Sequence, residues 1–164
     1  MFNKIAKIAV MTCLCAFTLV ATEYKWDNSP KDSAALKEKV TAASKEFNWA
    51  IRKIASSRLT KATAPYQTLE LTIDGDRVAF SRNGKDRVET TFGAAPAKWF
   101  EDTKVTFEKL ADGQVKQNFL AEDGRREFLY KFEEDGSLAV TISLFSEKLK
   151  APIVYQLKYL PVKK

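Results

Sequence analysis

Histidine is absent from this sequence of 164 residues, and its two cysteines, Cys13 and Cys15, lie close to the N-terminus. Catalysis by a serine or cysteine nucleophile normally needs a histidine base, and zinc, copper and haem sites normally use histidine or thiolate ligands. Most carboxylates fall in predicted turns or on predicted outward faces, where they are usually solvated. No glycine-rich phosphate loop occurs either. We therefore expect a protein that is not an enzyme and that uses no metal or cofactor.

Long apolar runs are also scarce. The apolar stretch Ile8–Ala21 follows the short basic stretch Met1–Lys7 and precedes the polar residues Glu23–Lys25. That order is typical of a secretory signal peptide over residues 1–21, and the apolar stretch is too short for a comfortable membrane span. Cleavage at its end, after Ala21 or Thr22, would remove both cysteines. We therefore predict a periplasmic or secreted protein.

The rest of the chain, 22–164, is predicted to be a single domain that is long enough to bury its own core. The whole chain carries 27 Lys and Arg against 21 Asp and Glu, a formal net charge of +6. Loss of Lys4 and Lys7 with the signal would lower that charge by two. So mild a charge is typical of ordinary solubilising side chains, although it could favour an anionic lipid or polysaccharide. We expect a monomer without a nucleic-acid partner, and a membrane surface or an envelope protein as candidate contacts.

One long N-terminal amphipathic helix is predicted at about 30–58. Ser29 suits the N-cap, Pro30 the first helical position, and Asp32 the positive end of the helix dipole. Apolar residues then recur at spacings of three and four: Leu36, Val40, Ala43, Phe47, Ile51 and Ile54. Such a helix must bury that stripe against the rest of the domain.

Trp49 lies on the opposite face of the predicted helix, near the basic residues Arg52 and Lys53. One interpretation is an exposed aromatic side chain in a basic patch, suited to a membrane surface or an acidic partner. The other, which we favour, is that Trp49 packs beneath the N-terminal segment that carries Tyr24 and Trp26, because large aromatic side chains usually find local cover.

Turn-forming pairs divide the remaining chain into short segments of alternating polarity. Asp-Gly and Asn-Gly pairs are strong hairpin signals because tight turns need φ > 0, and they occur at Asp74-Gly75, Asn83-Gly84, Asp112-Gly113, Asp123-Gly124 and Asp135-Gly136. They predict an eight-stranded antiparallel up-and-down meander at about 66–160, which can close into a barrel. Alternation assigns a set of apolar residues to its inner face: Leu69, Leu71, Ile73, Val78, Phe80, Val88, Phe92, Val105, Phe107, Val115, Phe119, Phe128, Tyr130, Phe132, Leu138, Val140, Ile142, Leu144, Tyr155, Leu157 and Tyr159.

The predicted fold is therefore mainly β, a barrel preceded by the long helix. Leu120, Leu129 and Ala139 form a small outward apolar patch, where we expect the helix to dock. The alternative is an α+β fold in which an open, curled sheet wraps around the helix and leaves little cavity.

Two connections, Gly93–Asp102 and Phe145–Ala151, are long and are predicted to lie at the same end of the barrel. Long loops on a compact sheet are where binding function usually lies. These loops carry Trp99, Phe100 and Phe145, whose side chains could form a lid over a cavity mouth or plug a filled core.

A few polar residues share the predicted inner face. Arg126 could orient an otherwise apolar ligand by pairing with an acidic group, such as a fatty-acid carboxylate. Because successive strands of the meander run in opposite directions, the predicted strand order places Arg126 at the end with the long loops and Arg82 at the opposite end. No catalytic or metal-ligating residue is predicted, and the candidate ligand-binding residues are Arg126, Tyr130, Gln117, Tyr155, Trp99, Phe100 and Phe145.

Over Tyr66–Leu160 the chain resembles the calycins, the superfamily of lipocalins and fatty-acid-binding proteins. The resemblance rests on the eight-strand meander and on long loops opposite the end where the N-terminal segment enters. It implies carriage or sequestration of a small hydrophobic molecule. The predicted helix precedes all strands, whereas lipocalins have a helix after the strands and fatty-acid-binding proteins have two between their first strands.

Two hypotheses of function follow. The first is an exported binding protein that holds a small hydrophobic or lipid-like ligand in a hollow β-barrel, and an interior packed by phenylalanine would contradict it: Phe80, Phe107, Phe119, Phe128 and Phe132. The second is an envelope protein-protein interaction or inhibitor module without a small ligand, which would use the Trp49 face or the long loops.

Overall fold

The computed structural model describes residues 18–100, 102–122 and 124–162, and side chains from Thr22 onward. The elements follow in this order: β1 (Thr18–Trp26), α1 (Pro30–Lys45), α2 (Trp49–Thr63), β2 (Thr68–Asp74), β3 (Arg77–Arg82), β4 (Lys85–Thr91), β5 (Ala97–Phe100), β6 (Thr103–Lys109), β7 (Val115–Ala121), β8 (Gly124–Phe132), β9 (Leu138–Phe145) and β10 (Ile153–Pro161). Within this part of the chain, neither helix is long and apolar enough to span a bilayer.

The ten strands form one antiparallel sheet in the order β4-β3-β2-β1-β10-β9-β8-β7-β6-β5. β1 joins the two halves of the sheet, because it pairs with β2 and also with β10, where Trp26 lies opposite Tyr159. The two outermost strands, β4 and β5, then come into contact. The sheet is therefore a nearly closed barrel, and the alternative of an open sheet wrapped around a helix is wrong.

The predicted count of eight strands is also wrong. β1 covers the end of the predicted signal peptide and the short segment after it, for which no strand is predicted, and β5 lies within the connection Gly93–Asp102, which is predicted to be a loop. Ala97 of β5 pairs with Val105 of β6. Since no turn-forming pair precedes this four-residue strand, its pairing depends on β6 rather than on a local pattern.

The additional strand changes which turns share an end of the barrel. Each strand reverses the chain direction, so β5 brings the turn at Asn83-Gly84 to the same end as the connection Phe145–Ala151. Arg82 lies beside that turn, at the end of β3. Its predicted position at the end opposite Arg126 is therefore wrong.

The prediction of one long helix is wrong as well, because the chain leaves the helical conformation before Trp49. Asn48 has ψ 142, and its side chain accepts a hydrogen bond of 3.1 Å from the Ala50 N–H. Asparagine favours the N-cap position because its side-chain oxygen satisfies a free amide of the first turn. The uninterrupted apolar spacing through Phe47 and Ile51 concealed this cap.

The two helices cover one end of the barrel instead of docking on the outward patch of Leu120, Leu129 and Ala139. α1 buries Leu36 and Val40 and packs against α2 and β10. The break after Lys45 gives two helices of 16 and 15 residues. Each is short enough to lie across a barrel end, which one continuous helix could not do.

α2 does not bury the stripe that was predicted for it. It buries Leu59 and Thr63, whereas Ile51 and Ile54 are 50% and 58% exposed. Trp49 is 83% exposed, so the prediction that it packs beneath the N-terminal segment is wrong. It begins α2 on the side that faces away from the barrel.

The inner face of the barrel follows the predicted alternation. Every predicted inner residue is buried except Phe92 and Phe132, which are half-buried and pack against the core. Burial of these side chains is the main source of stability for such a domain.

Aromatic rings connect opposite walls of the barrel. The ring centre of Phe80 on β3 lies 6.5 Å from that of Phe107 and 5.9 Å from that of Phe119, and Phe119 lies 5.1 Å from Phe128. Each of the four is at most 3% exposed. The expectation of a hollow centre at this level is therefore wrong, and a ligand needs a place elsewhere on the barrel.

Candidate functional site

A cavity of about 440 Å³ lies between α2 and the rim of the barrel. We call it the mouth cavity. Its walls are mainly apolar, with α2 on one side and the ends of β7, β8 and β9 on the other: Phe47, Ile51, Ile54, Ala55, Leu59, Ala62, Phe119, Ala121, Leu144, Phe145 and Leu149. The remaining lining includes four cations, Arg58, Arg125, Arg126 and Lys148, and no Asp or Glu among the described residues. Its volume is within the range of small-molecule sites, roughly 300 to 1,000 Å³.

Arg126 contributes the half-buried cation of this cavity. Its Nη1 donates a hydrogen bond of 3.2 Å to the carbonyl of Ala62 in α2, and its Cζ lies 5.7 Å from the ring centre of Phe119. A guanidinium has five N–H donors, and within the described chain Arg126 forms no ion pair. A partly buried cation without a counter-charge is costly, so this position favours an anionic group in the cavity.

Tyr155 fixes α2 above this arginine. Its phenol donates a hydrogen bond of 2.9 Å to the carbonyl of Thr63. Burial raises the pKa of Tyr155 well above its ordinary value of 10, although the nearby Arg126 guanidinium partly lowers it. The phenol therefore stays neutral at physiological pH and does not neutralise Arg126.

Gln117 and Tyr130 lie away from the mouth cavity, in the packed centre of the barrel. The Tyr130 hydroxyl donates to Gln117 Oε1 at 2.5 Å, and both residues are fully buried. The Nε2 group of Gln117 has no hydrogen-bond partner in the described structure. The structure therefore does not bring this pair together with Arg126 at the mouth.

Trp99 and Phe100 also lie outside the mouth cavity. The Trp99 indole N–H donates to the carbonyl of Asp86, and the Arg82 guanidinium lies 4.2 Å from the centre of the Trp99 ring. Arg82 also pairs with the Asp86 carboxylate at 2.9 Å. These contacts connect β5 to the β3–β4 turn, so Trp99 belongs to the wall of the barrel rather than to a lid.

Of the predicted ligand-binding residues, only Arg126 and Phe145 line the mouth cavity. The α2 residues Ile51, Ile54 and Arg58 were not predicted as site residues, because the first two were counted in a buried stripe. Asn48, a good N-cap residue within the apparent helix, is the sequence signal that could have revealed a separate α2. No group of three or more potential metal ligands occurs in the part of the chain that the structure describes.

Two solved structures have a similar fold. The fatty acid binding protein of Schistosoma mansoni, in complex with arachidonic acid, is 16% identical over 89% of this chain and 96% of its own, with a TM-score of 0.49. The fatty-acid-binding protein from brain tissue of Drosophila melanogaster, without citrate inside, is 14% identical over 84% and 96%, with a TM-score of 0.45. No protein-family model and no curated protein sequence matches the chain.

The order of strands and helices defines the fold of the barrel. Ten antiparallel strands form the meander, and both helices lie between β1 and β2. The fold is calycin-like. The sequence placed the helix before all strands because β1 was not recognised.

Proposed function

We propose that this protein binds a small amphiphile with an apolar body and an anionic group in the mouth cavity. The single observation that carries this proposal is the half-buried Arg126, which has no carboxylate partner among the described residues and lies in an otherwise apolar cavity. The apolar walls would cover the body of the ligand, and Arg126 would hold its acidic end. The protein then acts as a carrier or a sequestering protein rather than as an enzyme.

The test is binding of anilinonaphthalene sulfonate, an apolar anionic dye, to detergent-free protein, followed by its displacement with palmitate. Arg126→Gln should weaken binding of the dye and of palmitate by about ten- to a hundredfold, since hydrogen bonds to charged groups contribute about 1.5–3 kcal/mol. Arg77→Gln is the matched control, because Arg77 is an exposed arginine at the opposite end of the barrel. Wild-type protein that binds neither the dye nor palmitate would disprove the proposal.

We also propose that the protein is exported after cleavage behind Ala21 or Thr22. The order of basic, apolar and polar stretches at the N-terminus supports this proposal. After cleavage Tyr24 would still pair with Leu69 of β2 and with Pro161 of β10. The mature chain would thus keep the part of β1 that pairs with β10, but would lose the pairs that Thr18 and Leu19 form with β2. Intact mass of the protein from the periplasm of a bacterial host tests the cleavage, and a mass equal to that of the uncleaved chain would contradict it.

A second candidate function is attachment to an anionic surface through α2. Trp49 is 83% exposed, and α2 carries four cations, Arg52, Lys53, Arg58 and Lys61, without an acidic residue. Exposed aromatic and basic side chains on one helix are typical of interfacial attachment. Sedimentation with vesicles containing anionic lipid tests this candidate. Trp49→Ala should reduce the bound fraction, and equal binding of the variant and wild type would count against it.

A further inference from the structure

Two of the four cations at the mouth cavity are held in place by contacts within the protein. Arg126 is fixed by the Ala62 carbonyl, as described above. The Arg125 guanidinium lies 4.3 Å from the ring centre of Phe145 on the paired strand β9. Because consecutive residues of a strand point to opposite faces, these arginines reach the rim of the barrel from its outer and inner sides. Both line the mouth cavity.

A second cavity, of about 470 Å³, lies on the outer side of the same rim. We call it the outer groove. It shares Gly124 and Arg125 with the mouth cavity, and its other lining includes Glu122, Glu147 and Lys150. A path from α2 across the rim therefore passes from apolar walls, through a pair of arginines, to a groove with charges of both signs.

A carboxylate and a phosphate would use this path differently. A carboxylate has one negative charge and two oxygens, which Arg126 alone could pair with bidentately. A phosphate monoester carries about −1.5 to −2 charges at pH 7 and three acceptor oxygens. The planar guanidinium matches phosphate geometry, so two arginines on either side of the rim suit the larger anion.

Resting on the proposed function, we infer that the ligand is a single-chain amphiphile with a phosphate headgroup. Its alkyl chain lies in the mouth cavity, its phosphate binds Arg125 and Arg126, and any further part of the headgroup lies in the outer groove. Arg125 is thus the residue that distinguishes a phosphate from a carboxylate.

The test compares three probes on the full chain by isothermal titration: palmitoyl lysophosphatidic acid, palmitate and inorganic phosphate. Lysophosphatidic acid should bind at least about tenfold more tightly than palmitate, because it engages a second arginine. Inorganic phosphate should bind more weakly than lysophosphatidic acid, since it has no chain to fill the mouth cavity.

Variants at Arg125 separate the headgroup from the chain. Arg125→Gln should weaken the binding of lysophosphatidic acid by about tenfold and that of palmitate by less than about threefold, because only the phosphate reaches Arg125. Arg125→Lys should lose less affinity than Arg125→Gln, since lysine keeps the positive charge but not the planar arrangement of N–H donors. Arg125 is exposed, so these variants should fold, and Arg77→Gln is the control.

Each other result overturns the inference in a distinguishable way. Palmitate binding as tightly as lysophosphatidic acid, or equal losses for both in Arg125→Gln, would refute the phosphate headgroup but leave the proposed function standing. Inorganic phosphate binding as tightly as the lipid would identify free phosphate as the ligand instead. Failure of both amphiphiles to bind would refute the headgroup inference and the proposed function together.

Discussion

The phenol of Tyr155 on β10 donates a hydrogen bond of 2.9 Å to the carbonyl of Thr63, the last residue of α2. Four residues along the same strand, the Tyr159 phenol donates a hydrogen bond of 3.1 Å to the carbonyl of Tyr66. Both phenols are buried. β10 therefore fixes the segment that connects α2 to β2, and with it the helical wall of the mouth cavity.

Tyr155→Phe should lower the free energy of unfolding by about 1–3 kcal/mol, because the buried carbonyl of Thr63 loses its donor. Urea denaturation measures this change. Amide exchange in α2 should become faster in the variant, while exchange in β8 should change less. Gln156→Ala, at an exposed position on the same strand, is the control and should change stability little. Unchanged stability in Tyr155→Phe would show that water replaces the phenol without cost.

Alkaline pH should destabilise the fold through its buried tyrosines. Burial raises the pKa of Tyr130, Tyr155 and Tyr159 above the ordinary value of 10, whereas in the unfolded chain they titrate near 10. Their contribution to stability is therefore fully present below pH 10. It is lost as the pH rises above 10 towards the pKa values that these tyrosines have in the folded protein.

Urea midpoints at pH 8 and pH 11 measure this loss, and Tyr155→Phe should reduce its size. Tyrosinate absorbance gives an independent measurement, because the three buried phenols should ionise only when the protein unfolds. Full ionisation of all tyrosines near pH 10 in protein that remains folded would contradict the prediction.

Alternation and turn-forming pairs were sufficient to predict most of the barrel, because most strands have one buried face and five of the hairpins have a turn-forming pair. β5 lacked such a signal, since it follows Gly93 and Pro96 without a turn-forming pair and owes its pairing to β6. That one omission placed Arg82 at the wrong end. Local patterns therefore predicted which residues face inward more reliably than they predicted which turns lie at the same end of the barrel.

The candidate site was predictable only on its strand side. Strand alternation identified Arg126, and the length of the β9–β10 connection identified Phe145. The helical wall was missed because Ile51 and Ile54 have the spacing of a buried stripe, and spacing does not say whether a helix continues or begins again. Whether an apolar stripe faces a core or a cavity depends on the position of the neighbouring strands, and the spacing of residues along the helix carries no information about that position.

The cluster of Arg82, Asp86 and Trp99 should hold the barrel together where β4 and β5 do not pair. Trp99→Phe removes the indole N–H that donates to Asp86 and weakens the contact with the Arg82 guanidinium. We expect a loss of about 1–3 kcal/mol in the free energy of unfolding. Amide exchange in β4 and β5 should become faster while exchange in β8 and β9 changes less.

Trp49→Phe is the matched control for that experiment, because Trp49 is 83% exposed on α2 and should tolerate the same change. If exchange in β4 and β5 is the same in Trp99→Phe as in the wild type, the cluster does not hold these strands together.

Gly124→Ala should distort the rim between the mouth cavity and the outer groove. A Cβ atom at Gly124 would lie 2.6 Å from the carbonyl oxygen of Phe145, which is a backbone atom that cannot rotate away. The start of β8 must therefore move relative to β9. Arg125 and Arg126 are the next two residues of β8, so this movement displaces them. We expect a loss of about 1–3 kcal/mol in stability and dye binding at least about tenfold weaker, because a shift at the rim moves both arginines.

Gly113→Ala gives the comparison that separates strain from position. Gly113 lies at the opposite end of the barrel with φ +80 and no atom within 4 Å of an added Cβ. Its substitution should cost about 1 kcal/mol of stability through backbone strain alone and should leave dye binding unchanged. If Gly124→Ala bound the dye as tightly as Gly113→Ala does, the ligand would not lie against this rim, and the mouth cavity would lose its role as the binding site.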